Sequence, residues 1–231
     1  MINLESENQK KSLFLSQLQV FLEREANYSR VYEGVTSCED AFDNEDGYEK
    51  ERKLLQENKQ DNLNSNRKGE ILEEIVFSLF SRIANLEVVN RNQAKTSLGQ
   101  IDLQVLISDK SAYDILGLIP RPSSDLIIGE CKNFKGKSIE LENIEKACWR
   151  SCKGRSLQFF IGTKYTQAAI DEIKHFNSYK QTIFLGSEGV WMVPITIDMI
   201  EVVVENNINF LSFLKWSIKY SINQMVIAQY L

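Results

Sequence analysis

The chain has 231 residues and a mass of 26.6 kDa, enough for one sizeable domain with appendages. Hydrophobic residues make up 43% and charged residues 26%, with three prolines and eleven glycines, which excludes wholesale disorder and collagen-like repeats. The formal net charge of −5 would usually argue against a nucleic-acid partner.

That average conceals a division. Residues 1–66 hold 8 basic and 14 acidic side chains, whereas residues 67–200 hold 17 and 16. Between 131 and 164, Lys132, Lys135, Lys137, Lys146, Arg150, Lys153, Arg155 and Lys164 stand against only Glu140, Glu142 and Glu145, a surplus that attracts a polyanion. No run of about 18 uncharged apolar residues occurs, and Met1-Ile2-Asn3-Leu4-Glu5 carries no signal-peptide pattern. The expectation is a cytoplasmic protein without membrane contact. Cys38, Cys131, Cys148 and Cys152 are then expected as reduced thiols, and a single histidine, His175, removes every site that needs two.

In chain order, Leu13, Leu15, Leu18, Phe21 and Leu22 recur at three- and four-residue steps and predict an amphipathic helix from Leu4 to about Tyr32. Residues 33–66, with clustered acids and the polar run Glu57 to Asn66, are expected as a linker with one short helix and no position in a core. Leu72, Ile75, Val76, Leu79, Phe80 and Ile83 then form one helical stripe, with Glu73 at its border and Glu74 turned to solvent. Leu86 to Asn90 reads as a short strand. Gln100 to Ser108 alternates as a second, with Asp102 opposite its apolar row.

A polar segment, Asp109 to Ser124, leads to a third strand, Asp125 to Lys132, in which Leu126, Ile128, Glu130 and Lys132 share a face. A helix from about Ile139 to Lys153, a strand at Leu157 to Thr163, a helix at Gln167 to Phe176, strands near 182–186 and 190–195, and an aromatic-rich helix or helix pair over 206–231 complete the chain. The central order is αβββαβ. The expected units are 1–32 helical, 33–66 linker, 67–200 an α/β domain and 201–231 a helical extension.

A charge inside an apolar strand is costly unless it is paired or binds a metal, and Asp102, Glu130 and Lys132 are such charges. Two carboxylates on neighbouring strands can hold a hard divalent cation and leave positions for water and a phosphate oxygen. A lysine two residues after the second acid points the same way. There it can position or deprotonate a water and offset developing negative charge.

With those residues in place, the chain resembles the PD-(D/E)xK nuclease superfamily, in particular its Mrr-like restriction and Holliday-junction-resolvase-like branch. Gly69 followed four residues on by Glu73, Asp102 introduced by Gly99-Gln100-Ile101, and Glu130-Cys131-Lys132 at a strand end carry the resemblance, with Asn143 to Thr163 matching the following helix and strand. It spans about 67–180. Ile101 stands where the family's proline is usual, and the 109–124 insertion exceeds a minimal hairpin.

The resemblance implies a restriction-endonuclease-like αβββαβ core, a mixed sheet flanked by helices, with helical additions at both ends. It implies Asp102, Glu130 and the Cys131 carbonyl as ligands of Mg²⁺ or Mn²⁺, Lys132 as the catalytic lysine and Glu73 as an auxiliary acid. DNA is the implied substrate, hydrolysed in restriction or anti-phage defence. Lys135, Lys137, Arg150 and Lys153 are the expected DNA contacts, a homodimer or larger homo-oligomer through the terminal helices is the expected assembly, and a partner protein of a defence system is a further expectation. The alternative is a catalytically inactive nuclease fold that binds nucleic acid or a protein, and a variant makes the acidic 33–66 segment an autoinhibitor over the basic face.

The Glu-x-Lys spacing alone says little, because it recurs at Glu51, Glu57 and Glu172; only Glu130 ends an apolar strand. Cys148 and Cys152, four apart on a helix with Cys131 in sequence reach, read as core thiols ahead of a metal or iron–sulfur site. His175 reads as a surface residue. Trp149 beside Arg150 reads as packing on the sheet ahead of stacking on a base, and the C-terminal aromatic helix as buried ahead of membrane-bound.

Overall fold

A computed structural model describes residues 2–31, 41–43, 46–84, 86–96, 99–108, 116, 125–133, 137–154, 157–180 and 191–223. Among them are seven α-helices: α1 (Ile2–Val31), α2 (Glu49–Asn58), α3 (Ser65–Ser81), α4 (Leu141–Gly154), α5 (Gln167–His175), α6 (Ile197–Glu205) and α7 (Phe210–Asn223). Five strands, β1 (Leu86–Thr96), β2 (Gly99–Ile107), β3 (Leu126–Lys132), β4 (Leu157–Gly162) and β5 (Met192–Thr196), form one open mixed sheet in the order β1-β2-β3-β4-β5. The first three run antiparallel, and β3, β4 and β5 run parallel. The class is α/β, with helices on both faces of the sheet.

The two-residue period explains the layers. Leu103, Val105, Ile127, Cys131, Phe159, Ile161 and Val193 face the larger core, which α1, α2, α3, α6 and α7 complete. Phe160 and Met192 face the other way, against Ile144, Ala147 and Cys148 of α4 and Ile170 and Ile173 of α5. Phe80 joins the layers of the larger core, with ring centroids 5.5 Å from both Phe159 and Phe210 in edge-on geometry. Asn64 caps α3 by accepting from the Arg67 N–H, and Thr166 and Thr196 cap α5 and α6 in the same way. Gly162 is required on β4 beside Lys132, because a Cβ there would lie 2.9 Å from the Lys132 carbonyl oxygen as well as 2.2 Å from Ile139 Cδ1.

Several expectations change. Residues 33–66 are not a linker without a core position. Ala41, Phe42, Tyr48, Leu54 and Leu55 are buried in the main core. Few apolar residues suffice because α2 lies between α3 and α6 and buries one edge of each turn. Glu74 is not turned to solvent either: it is half-buried and 3.6 Å from Lys50 of α2. The first strand extends to Thr96, beyond Asn90, through two register shifts against β2, a length that pairing supplies and alternation did not signal.

The larger core also continues past residue 200, since α6 spans 197–205 with Met199, Ile200, Val202, Val203 and Val204 buried. Phe210, Leu211, Phe213, Leu214 and Trp216 of α7 are buried in the same core, as expected for an aromatic helix packed within the chain. The strand expected near 182–186 lies outside the described residues, as does the 109–124 insertion except for Leu116, which is buried in the core. Among the described residues no helix is long and apolar enough to cross a membrane.

Candidate active site at the end of the sheet

The site arises where β2 and β3 part. Their ladder runs from Leu106↔Leu126 to Leu103↔Gly129 and stops there, while β2 continues against β1 and β3 continues to Lys132 against β4. Extending the register by one residue sets Asp102 across from Glu130, on the α4 side of the sheet. The N–H of Cys131, left without a main-chain partner on β2, donates instead to Asp102 Oδ2 at 2.8 Å. Strand divergence thus puts a side-chain carboxylate where a backbone carbonyl would have been.

Lys132 completes the group. Its Nζ is 2.8 Å from Glu130 Oε1 and 3.6 Å from Asp102 Oδ2. Asp102 is 7% exposed and Glu130 4%, so two carboxylates and one ammonium are held largely out of water with a net negative charge. Burial works against the Lys132 ammonium, but Glu130 and Asp102 outweigh it and hold its pKa above the usual lysine value. It is a cation and a donor at neutral pH. The Cys131 thiol is pushed well up, first by burial and then by the fields of Asp102, Glu73 and Glu130, so it remains a thiol.

Sequence reading therefore brought Asp102, Glu130 and Lys132 to one place correctly. Glu73, half-buried on α3, approaches from the other face of the sheet, close enough to act on Cys131 electrostatically. Among the described residues no group of three or more His, Cys, Asp or Glu side chains lies together in a metal-ready cluster.

No protein-family model matches this chain, and no curated protein or solved structure matches it. Its chemistry rests on the site.

The donor set fits a hard divalent cation. Asp102 Oδ1 takes no part in the contacts above, and an extended residue directs its N–H and C=O to the same side of the strand, which brings the Cys131 carbonyl to the Asp102 side. Two carboxylates and a carbonyl are all-oxygen ligands of the kind Mg²⁺ takes with water and substrate phosphate completing its shell.

On the α2 and α6 side of the same strand ends lies a cavity of about 450 Å³, lined in part by Lys59, Lys68, Lys137, Lys164, Asn133 and Ser138. Asn133, buried one residue past Lys132, donates to Asn58 Oδ1 and to the Lys68 carbonyl, both at 2.8 Å, and so ties α2 and α3 to the end of β3. Sequence reading did not single out Lys68 or Asn133; a polar residue directly after Glu-x-Lys was the only signal. Of the expected DNA contacts, Lys137 is exposed and lines this cavity. Lys135 lies outside the described residues, as do the side chains of Arg150 and Lys153 on α4.

Cys131 faces the larger core and Cys148 the smaller, so the sheet separates them and they share no metal; the Cys152 side chain lies outside the described residues. His175 is exposed on α5, as expected for a surface residue. Trp149 does not pack against the sheet: it is 59% exposed.

Proposed function

We propose that this protein is a metal-dependent endonuclease that hydrolyses phosphodiester bonds in DNA. The observation that carries this reading is the Asp102, Glu130 and Lys132 group at the point where β2 and β3 diverge. It is a buried surplus of negative charge beside a cation at the end of the sheet. The order α3-β1-β2-β3-α4-β4, with three antiparallel strands followed by a parallel one, supports it further, because that element order is the one the resemblance leads us to expect. A role in restriction or defence follows from the same resemblance.

Mg²⁺ bound by Asp102, Glu130 and the Cys131 carbonyl would polarise the scissile phosphate and lower the pKa of a coordinated water. Asp102 is oriented for that by the Cys131 N–H, which fixes one carboxylate oxygen. Lys132, held as an ammonium, donates to the attacking water or to a phosphate oxygen and offsets the charge that builds on the phosphoryl group.

The test is incubation of the purified chain with supercoiled plasmid, linear duplex and branched DNA in Mg²⁺, Mn²⁺ or EDTA, beside Asp102→Asn. The reading expects cutting that needs the metal and is lost in the variant. Intact DNA in every case, from a folded protein, would transfer the site to a binding module.

A further inference from the structure

Tryptophan is the costliest side chain to leave in water, and the three in this chain are treated differently. Trp191 and Trp216 are 1% and 0% exposed, whereas Trp149 on α4 is 59% exposed. Helix geometry places it there. Ile144, Ala147 and Cys148 turn into the smaller core, and at 100° per residue Trp149 is carried to the outer flank.

The same flank has a surplus of positive positions. Lys146 stands three before Trp149 and Lys153 four after, positions that helical spacing sets beside it, against Glu145 four before; Arg150 follows directly in the chain. The two acids of α4, Glu142 and Glu145, lie in its first half, and Glu142 is paired with Lys146. The second half has none. α4 covers the face of the sheet on which Asp102, Glu130 and Lys132 stand. As the crossover from β3 to the parallel strand β4 it starts at the site's end, which puts Trp149 two turns, about 12 Å, along the helix from there.

We propose that Trp149 is a base-stacking platform: an unpaired nucleotide of the strand whose phosphodiester lies at Asp102, Glu130 and Lys132 stacks on its indole, and the α4 cations meet the adjacent phosphates. A second protein copy would call for apolar neighbours around the tryptophan. A polymer with flat π faces and one negative charge per unit matches both the indole and its surroundings. The base is an unpaired one because a duplex already covers the faces of its bases. The location of the scissile bond rests on the nuclease reading; the stacking contact is read separately.

The experiment follows tryptophan emission of the full chain in EDTA, so that no metal-dependent cutting intervenes, during titration with a short oligothymidylate. With the other two indoles buried, the response belongs to Trp149. Quenching of emission and protection from iodide are expected, with less of both from a blunt duplex. Trp149→Ala should abolish the response and weaken binding of a labelled oligothymidylate about tenfold, and Trp149→Phe should retain most of the affinity. Unchanged emission at saturating oligonucleotide, or wild-type affinity in Trp149→Ala, overturns the proposal. So does iodide protection that rises with protein concentration alone, which would give this face to a second copy. Asp102→Asn should keep the quenching while losing cleavage, and quenching by a wild type that cuts nothing would uphold the platform and sink the nuclease.

Discussion

Arg82, just past the end of α3, and Lys132, at the end of β3, each face two carboxylates. Arg82 donates to both oxygens of Asp46 at 2.6 and 2.9 Å and to both of Glu51 at 3.2 and 2.8 Å. It also reaches the Asp43 carbonyl at 3.4 Å and lies 5.3 Å over the Tyr48 ring, while the Ser78 hydroxyl donates to Glu51. Lys132 has one close partner at 2.8 Å and a second at 3.6 Å, and Asp102 leans on a backbone N–H instead. A guanidinium fork offers paired, planar donors that hold two carboxylates bidentately; an ammonium, a point charge with three donors, fixes their geometry less. Both clusters net one negative charge, but the first locks α2 to α3 with Asp46 half in water. In the second both carboxylates are buried, so their surplus is not answered by solvent and a metal ion could answer it.

The strongest way to break the comparison is to remove one charge from each cluster. Asp102→Asn and Lys132→Ala should each lower DNA cleavage by at least ~10²- to 10⁴-fold, while Asp102→Asn leaves the melting temperature equal or higher, because it relieves a repulsion. Arg82→Ala should do the reverse. Glu51 is fully buried, and stranding its charge should cost about 3–5 kcal/mol in urea unfolding, with cleavage per folded molecule preserved at low temperature. A sharper version exchanges the cations: Lys132→Arg should hold both carboxylates and raise stability while abolishing cleavage, a result that plain loss of charge would not give.

Smaller effects belong to the frame around α2. Tyr48 sits in the left-handed region at φ 66° after Gly47 at φ 58°, and its hydroxyl donates to the Ile208 carbonyl at 2.7 Å and accepts from the Phe210 N–H at 3.0 Å. Tyr48→Phe should cost about 1–3 kcal/mol, because both backbone groups at the start of α7 lose their partner. Smallest is a pH effect at Glu201. Burial works against its carboxylate, but Lys59 and Lys11 outweigh it and hold its pKa below the usual value. Its stabilisation is therefore full above the unfolded value of about 4.3 and is lost as pH falls through the lower folded value. Glu201→Gln should lose less stability than wild type over that acid range, by under about 1 kcal/mol.

The elements that build the site were legible because their signals are local. The stripe Leu72 to Ile83 and the alternation of Ile101 to Ile107 each declare a face, and a charge that interrupts such a pattern, as Asp102 and Glu130 do, draws attention to itself. The parting of β2 and β3 was not legible, since it depends on where a ladder stops, and neither was the second half of β1, which pairing alone makes a strand. The α2 region failed for a different reason. Tyr48, Leu54 and Leu55 are sparse among charges, and Glu51, which looks like a solvent residue, is buried only because Arg82, far along the chain, answers it. Trp149 ran against the usual preference of tryptophan for a core, and its exposure follows from which side of α4 the smaller core occupies.

The most direct measurement of the central claim is calorimetric titration of Mg²⁺ or Mn²⁺ into the wild type, Asp102→Asn and Lys132→Arg without DNA. The account predicts one saturable site in the wild type that is lost in both variants. Equal binding in Asp102→Asn, or none in the folded wild type, would contradict it.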